Sequence, residues 1–190
     1  MKTLNQYIKE KLIINKDYND AKIVVKSFDE LRKIIEQRYE EYGPGTEQDP
    51  IDFNDIDVSN IDSFSNDKGK GKGIFEGTNF KYIDISDWDV SSVTDMSYMF
   101  AFCKKFNQDL LKWDVSGVTD MEYMFIDCKS FNQNISDWDV SNVTDIRFMF
   151  FGCKSFNQDI SNWNVSKVMY RMGMFDGCSI KNEYKPKFKK

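Results

Sequence analysis

The sequence predicts an α/β repeat solenoid of about five turns with an N-terminal α/β cap. Three observations predict it. Tryptophan recurs at 88, 113, 138 and 163, a constant spacing of 25 residues. Around each Trp one phrase returns, written first as Ile85-Ser86-Asp87-Trp88-Asp89-Val90-Ser91 and continued by Val93-Thr94-Asp95-Met96, Met99-Phe100, Cys103 and Phe106-Asn107-Gln108-Asp109. Within the phrase two hydrophobic periods alternate. Trp88 and Val90 stand two apart, as on a short strand. Met96, Met99, Phe100 and Cys103 follow at i, i+3, i+4 and i+7, the buried stripe of a short helix opened by Thr94. A unit this short cannot bury both faces alone, so each needs its neighbours.

Residues 1–49 do not repeat. Leu4, Tyr7, Ile8, Leu12 and Ile13 lie on one face of a possible first helix, and Ala21 to Val25 is a candidate strand. Ser27-Phe28-Asp29-Glu30 reads as a capping box opening a helix to about Tyr42, with Leu31, Ile34, Ile35 and Tyr39 as its apolar face and Gly43-Pro44-Gly45 as its stop. Strand and helix together form the expected cap over the first open layer of the repeats.

The repeats occupy 50–181. Regular turns run 84–108, 109–133, 134–158 and 159–181, preceded by a degenerate turn at 52–83. That early turn is stretched by Asn66-Asp67-Lys68-Gly69-Lys70-Gly71-Lys72-Gly73, where alternating Gly and Lys predict a surface loop. The last segment, 182–190, is basic. It reads either as a solvated end or as an electrostatic tether to an acidic partner or nucleic acid.

The pattern resembles the bacterial surface protein repeat of roughly 26 residues, the BspA-type, leucine-rich-repeat-like family. The stretches Phe106 to Cys128 and Phe131 to Cys153 carry the likeness almost letter for letter, and it extends over about 52–181. The resemblance implies a right-handed, leucine-rich-repeat-like β/α stack. It also implies a surface protein, lipoprotein, or phage or mobile-element product. Residues Met1 to Glu10 are similar to short amphipathic segments on proteins packaged in or mounted on tailed-phage particles.

Composition narrows function. The chain has 190 residues, 41% hydrophobic and 15% aromatic, enough for a core, and carries a net charge of −5 that disfavours nucleic acid as the main partner. There is no histidine, hence no Ser-His or Cys-His pair and no imidazole metal ligand. No apolar run reaches membrane-span length and no secretory signal is seen, so an intracellular or virion-associated location is expected, with the cell surface only by another export route.

Each recurring column has a structural reading. Trp88, Trp113, Trp138 and Trp163 are core. Cys103, Cys128, Cys153 and Cys178 are buried, reduced thiols, because thiols one rung apart cannot converge on zinc. Asn107, Asn132 and Asn157 form a buried amide ladder. Asp57, Asp89, Asp114 and Asp139, with Asn164, are held in Asx-turns by Ser91, Ser116 and Ser141, or form an acidic recognition stripe or a loose calcium site.

What breaks the period is left for function. The candidate partner-binding residues are Leu4, Tyr7 and Ile8 on the first helix; Lys68, Lys70 and Lys72 in the inserted loop; and Tyr98, Tyr123, Arg147 and Phe148 on the repeat surface, beside the varying Ser97 and Glu122. The expected function is protein–protein interaction or a structural role, without enzyme activity, catalytic residues, metal, cofactor or small-molecule substrate. A phage virion protein docked through residues 1–13 and a bacterial surface adhesin are the alternatives, and a hydrolase using Asp and Glu is the least favoured.

Overall fold

The computed structural model describes residues 22–66 and 72–188 and shows that turns dominate. Strand β1 is Ile23–Val24 and helix α1 is Phe28–Tyr42; they are followed by β2 (Ile51–Asp52), β3 (Ile56–Asp57) and β4 (Ile83–Asp84), with a 3-10 turn at Asn182–Tyr184. β1 pairs parallel with β3, Ile23 opposite Ile56, and β2 pairs parallel with β4, Ile51 opposite Ile83.

The expected α/β solenoid, a right-handed, leucine-rich-repeat-like β/α stack of about five turns behind an α/β cap, is therefore corrected. Among the described residues there is one α-helix and two small parallel sheets, and the remainder is turns and coil. Neither the strand expected at Trp88–Val90 nor the helix expected at Met96–Cys103 forms.

The hydrogen bonds explain why the pattern misled. Trp88 N–H bonds Ile85 C=O, Val93 bonds Val90, Met99 bonds Met96, Ala101 bonds Tyr98, Cys103 bonds Phe100 and Phe106 bonds Cys103. Each is a bond between residues three apart, the closure of a β-turn. A helix would bond residues four apart. Such turns bring i and i+3 to the same side, so apolar residues at 96, 99, 100 and 103 satisfy either structure. The intervening N–H groups decide between them: those of Met96, Tyr98, Phe100 and Phe102 bond the carbonyls of Asp120, Glu122, Met124 and Ile126 in the next repeat.

Successive repeats thus stack in register. Isolated parallel bridges join Asp95 to Asp120, Asp120 to Asp145 and Asp145 to Tyr170. Inside, Phe75, Phe100, Phe125, Phe150 and Phe175 form one column, with ring centroids 5.5, 5.5, 5.6 and 5.9 Å apart and near-parallel planes. Phe106, Phe131 and Phe156 form a second beside it.

Helix α1 covers the first layer. Ser27 Oγ accepts the Glu30 N–H at 3.2 Å, and Gly43 ends the helix at φ 72°. Leu31, Ile35 and Arg38 face inward. Arg38 holds Asp55 through two bonds, 2.7 and 2.6 Å, and also donates to Asp52 C=O. Arg32 Nη1 donates to Gly73 and Ile74 C=O at 3.0 and 2.8 Å. No described helix is long and apolar enough to cross a membrane.

Candidate functional site

Each repeat presents one strip, centred on the turn after the Val-Thr-Asp phrase, where polar and aromatic side chains face outward together. The turn places its third residue at positive φ, ordinarily a glycine position. Tyr98 (59°), Tyr123 (57°) and Phe148 (56°) occupy it, and Gly173 (65°) follows. Bulky residues at such φ are genuine outliers. They are held by the inter-repeat N–H bonds and by each other: Tyr98 and Tyr123 stack at 4.7 Å, Tyr123 and Phe148 at 5.0 Å. Gly173 ends the column because a Cβ there would lie 2.3 Å from Phe148 Cε1.

Beside the rings runs an acidic column. Asp95, Asp120 and Asp145 each accept the N–H two residues on, from Ser97, Glu122 and Arg147, at 2.8, 2.8 and 3.0 Å. Register sets these carboxylates one rung apart, and one oxygen each of Asp120, Glu122 and Asp145 lies within 4.8 Å of the others. Such a group can bridge a cation, and Arg147 brings one from the protein. Its Nε lies 3.0 and 2.9 Å from the Asp145 oxygens, and its Nη2 2.6 Å from Asp145 Oδ2 and 3.1 Å from Glu122 Oε1. Its guanidinium lies over the Tyr170 ring at 5.3 Å.

Electrostatics follow from this packing. Burial, reinforced by Asp95 and Asp145, pushes the Asp120 carboxyl up to about 6. Burial also raises Glu122, against the opposing pull of Arg147. Burial and then Glu122 push the Tyr98 hydroxyl up to about 12. The Asp145 hydrogen bonds raise Arg147, which stays charged. The result is a half-buried face with stacked rings, carboxylates and one guanidinium. It suits recognition of a surface by ring contact and paired charge.

Of the residues singled out in sequence, Tyr98, Tyr123, Arg147 and Phe148 come together here, with Ser97 and Glu122. Lys72 does not: it is exposed, with its N–H on Asn66 Oδ1 in the inserted loop. Leu4, Tyr7, Ile8, Lys68 and Lys70 lie outside the described residues.

The columns divide by depth. Trp88, Trp113, Trp138 and Trp163 are buried, and each indole N–H donates to a carbonyl of the repeat before, Phe53, Ile85, Leu110 and Ile135, at 2.9 to 3.2 Å. Cys103, Cys128 and Cys153 are free and buried, with Sγ on Phe75, Phe100 and Phe125 C=O; Cys178 is free and half-buried. Burial raises all four thiols. The amide ladder lies at the surface instead of in the core: Asn107 and Asn132 are exposed and Asn157 half-buried, while Asn132 and Asn157 N–H donate to the Asn one repeat earlier. Asp89, Asp114 and Asp139 accept Ser91, Ser116 and Ser141 N–H in Asx-turns, which hold these carboxyls below the usual range.

The Asp95, Asp120 and Asp145 column was not among the candidates read from sequence. Its signal in the sequence is the Thr-Asp pair recurring at 94–95, 119–120 and 144–145, of which Thr94 alone carries an expected role, that of a helix cap.

A family model described as "Mycoplasma protein of unknown function, DUF285" matches residues 71–188, more than half of the chain. The chain belongs to the DUF285 family. That match spans the aromatic–acidic face and the regular repeats, while α1 lies outside it. No curated protein and no solved structure matches the chain.

Proposed function

We propose that this chain is a non-enzymatic protein-binding module that engages a partner protein through the face built by Tyr98, Tyr123, Phe148 and Arg147. The observation that carries the reading is the set of aromatic residues held at positive φ on an accessible strip. Each stands where glycine would be relaxed, and strain of this kind collects where a side chain is needed for contact. Stacking fixes the rings before any partner arrives, which lowers the ordering cost of binding. Arg147 is half-exposed yet anchored by Asp145 and Glu122, the character of an interface anchor.

The absence of histidine from the sequence and the pairing of Asp145 and Glu122 with Arg147 support a binding role over a hydrolytic one. A photo-crosslinking amino acid placed at Tyr123 in the native host tests the proposal, with Lys112 of the same repeat as control. A discrete protein adduct is expected from position 123 and lost with R147E. Equal adducts from both positions, or none from 123, overturn it.

A further inference from the structure

Within the repeats the strip after the Thr-Asp pair donates its hydrogen bonds in one direction. The N–H groups of Met121, Tyr123, Phe125 and Asp127 bond the carbonyls of Asp145, Arg147, Met149 and Phe151; those of Ile146, Phe148, Phe150 and Gly152 bond Tyr170, Met172, Met174 and Asp176. A β-sheet strand uses both edges for both kinds of group. Here every strip offers donors to the repeat that follows it and acceptors to the one before.

Such a ladder has two chemically different ends. At the first end the outward groups are carbonyls, and the Arg32 guanidinium from α1 meets that of Ile74 and also the Gly73 carbonyl, which closes a turn with the Glu76 N–H. At the other end the equivalent donors are the N–H groups of Arg171, Gly173, Phe175 and Gly177, and among the described residues none of these has a hydrogen-bond acceptor. Met169, Tyr170 and Met172 stand beside them, 68, 53 and 64% exposed, the most open apolar side chains after the regular core. The surrounding charge is mainly basic. Lys154 Nζ approaches Gly177, Lys185 lies over the Phe175 ring, and Arg171 lies over Phe188 next to Lys187. Asp176 and Glu183 are the acids nearby in sequence.

We infer that this end is a docking edge for an extended, acidic segment of a partner protein, which adds as one more rung. The segment supplies backbone carbonyls to Arg171, Gly173, Phe175 and Gly177, acidic side chains to Arg171 and the lysines, and apolar side chains to Met169, Tyr170 and Met172. A second copy does not fit. Two such ends face to face would set donors against donors. Head to tail, a second copy would meet an end where Arg32 already holds the Ile74 carbonyl, Asn66 N–H holds that of Lys72, and α1 covers the first layer. This edge adjoins the aromatic–acidic face, where Arg147 lies over Tyr170, but the inference does not rest on that face.

The test uses a synthetic peptide of the sequence Thr119–Cys128, which carries Asp120, Glu122 and Asp127 and no basic residue. In the chain this stretch already places its carbonyls on the N–H groups of Met96, Tyr98, Phe100 and Phe102. Amide exchange of the full chain, resolved residue by residue by NMR, is followed with and without the peptide. Protection of Arg171, Gly173, Phe175 and Gly177 is expected with peptide. Affinity should fall about tenfold in R171E and again in K187E, and stay unchanged in Y123A. No protection up to the peptide's solubility limit overturns the inference, as does a binding loss in Y123A. Protection without peptide also overturns it: if independent of protein concentration, the chain's own tail covers the edge; if concentration-dependent, a second copy does.

Discussion

At Tyr98, Tyr123 and Phe148 the side chain and the backbone want different things. The turn needs positive φ, which costs a non-glycine residue about 1–2 kcal/mol, and the ring stack offsets that cost. Substitution separates the two terms. Y123A loses the stack and keeps the strain, whereas Y123G loses the stack and relaxes the backbone. Y123G should therefore be more stable than Y123A by about 1 kcal/mol, measured by urea unfolding. An alanine variant as stable as the glycine variant would remove strain from the account. Asp120 makes a second prediction. Its folded carboxyl titrates near 6, above the ordinary 3.8, so the folded protein binds the proton more tightly than the unfolded chain. Its contribution to stability is then greatest below about pH 4 and is lost as pH rises through about 6. Asp89, Asp114 and Asp139 are shifted the other way, and their contribution is lost only as pH falls below the ordinary carboxylate range. Stability measured from pH 4 to 7 should fall less steeply in D120N than in the unsubstituted protein; equal slopes would reject the assignment.

The repeat element is a chain of corners. Ile85 and Trp88, Val90 and Val93, Met96 and Met99, and Phe100 and Cys103 are the first and last residues of turns, and all of them are buried. This is how a stretch with almost no regular secondary structure still builds a continuous core. The closing bonds between residues three apart and the bonds to the next repeat share the work, so a side chain that bridges repeats matters beyond its volume. Trp138 Nε1 donates to Leu110 C=O at 3.1 Å. W138F keeps most of the apolar surface and loses this bond, for an expected cost of about 1–2 kcal/mol; W138A should cost about 3–5 kcal/mol. Comparable losses in thermal unfolding would show that the indole bond, and not packing, dominates. The thiol column is graded by depth. Cys178 is half-buried while Cys103, Cys128 and Cys153 are buried with raised thiols. A thiol reagent on native protein should label Cys178 first, as read by mass spectrometry, and uniform labelling would contradict the packing described.

Across the molecule, stability comes from contacts between neighbouring repeats and from closing the ends. Arg38 is the tie at the start: it is buried against Phe53 and bonded to Asp55 and Asp52. R38A should cost about 2 kcal/mol and expose the first layer, seen as a lower urea midpoint with an earlier loss of protection at Phe53 than at Phe131. Loss of protection everywhere at once would mean that the stack unfolds as one unit.

The period itself was legible from Trp88, Trp113, Trp138 and Trp163, and so were the helix at Phe28–Tyr42, opened by Ser27, and the outward position of Tyr98, Tyr123, Arg147 and Phe148. Those features depend on residue spacing and local capping, which act within a few positions of the chain. The sequence did not reveal whether Met96 to Cys103 is helix or turns, because both conformations put the same residues inside. The tertiary structure settled that choice. An N–H group can serve its own helix or the next repeat, and the neighbouring carbonyls at Asp120, Glu122, Met124 and Ile126 stand where they accept it. The same stacking brought Asp95, Asp120 and Asp145 into one column and set Arg147 among them. Residues 25 apart in the chain become neighbours only when the repeats lie on one another.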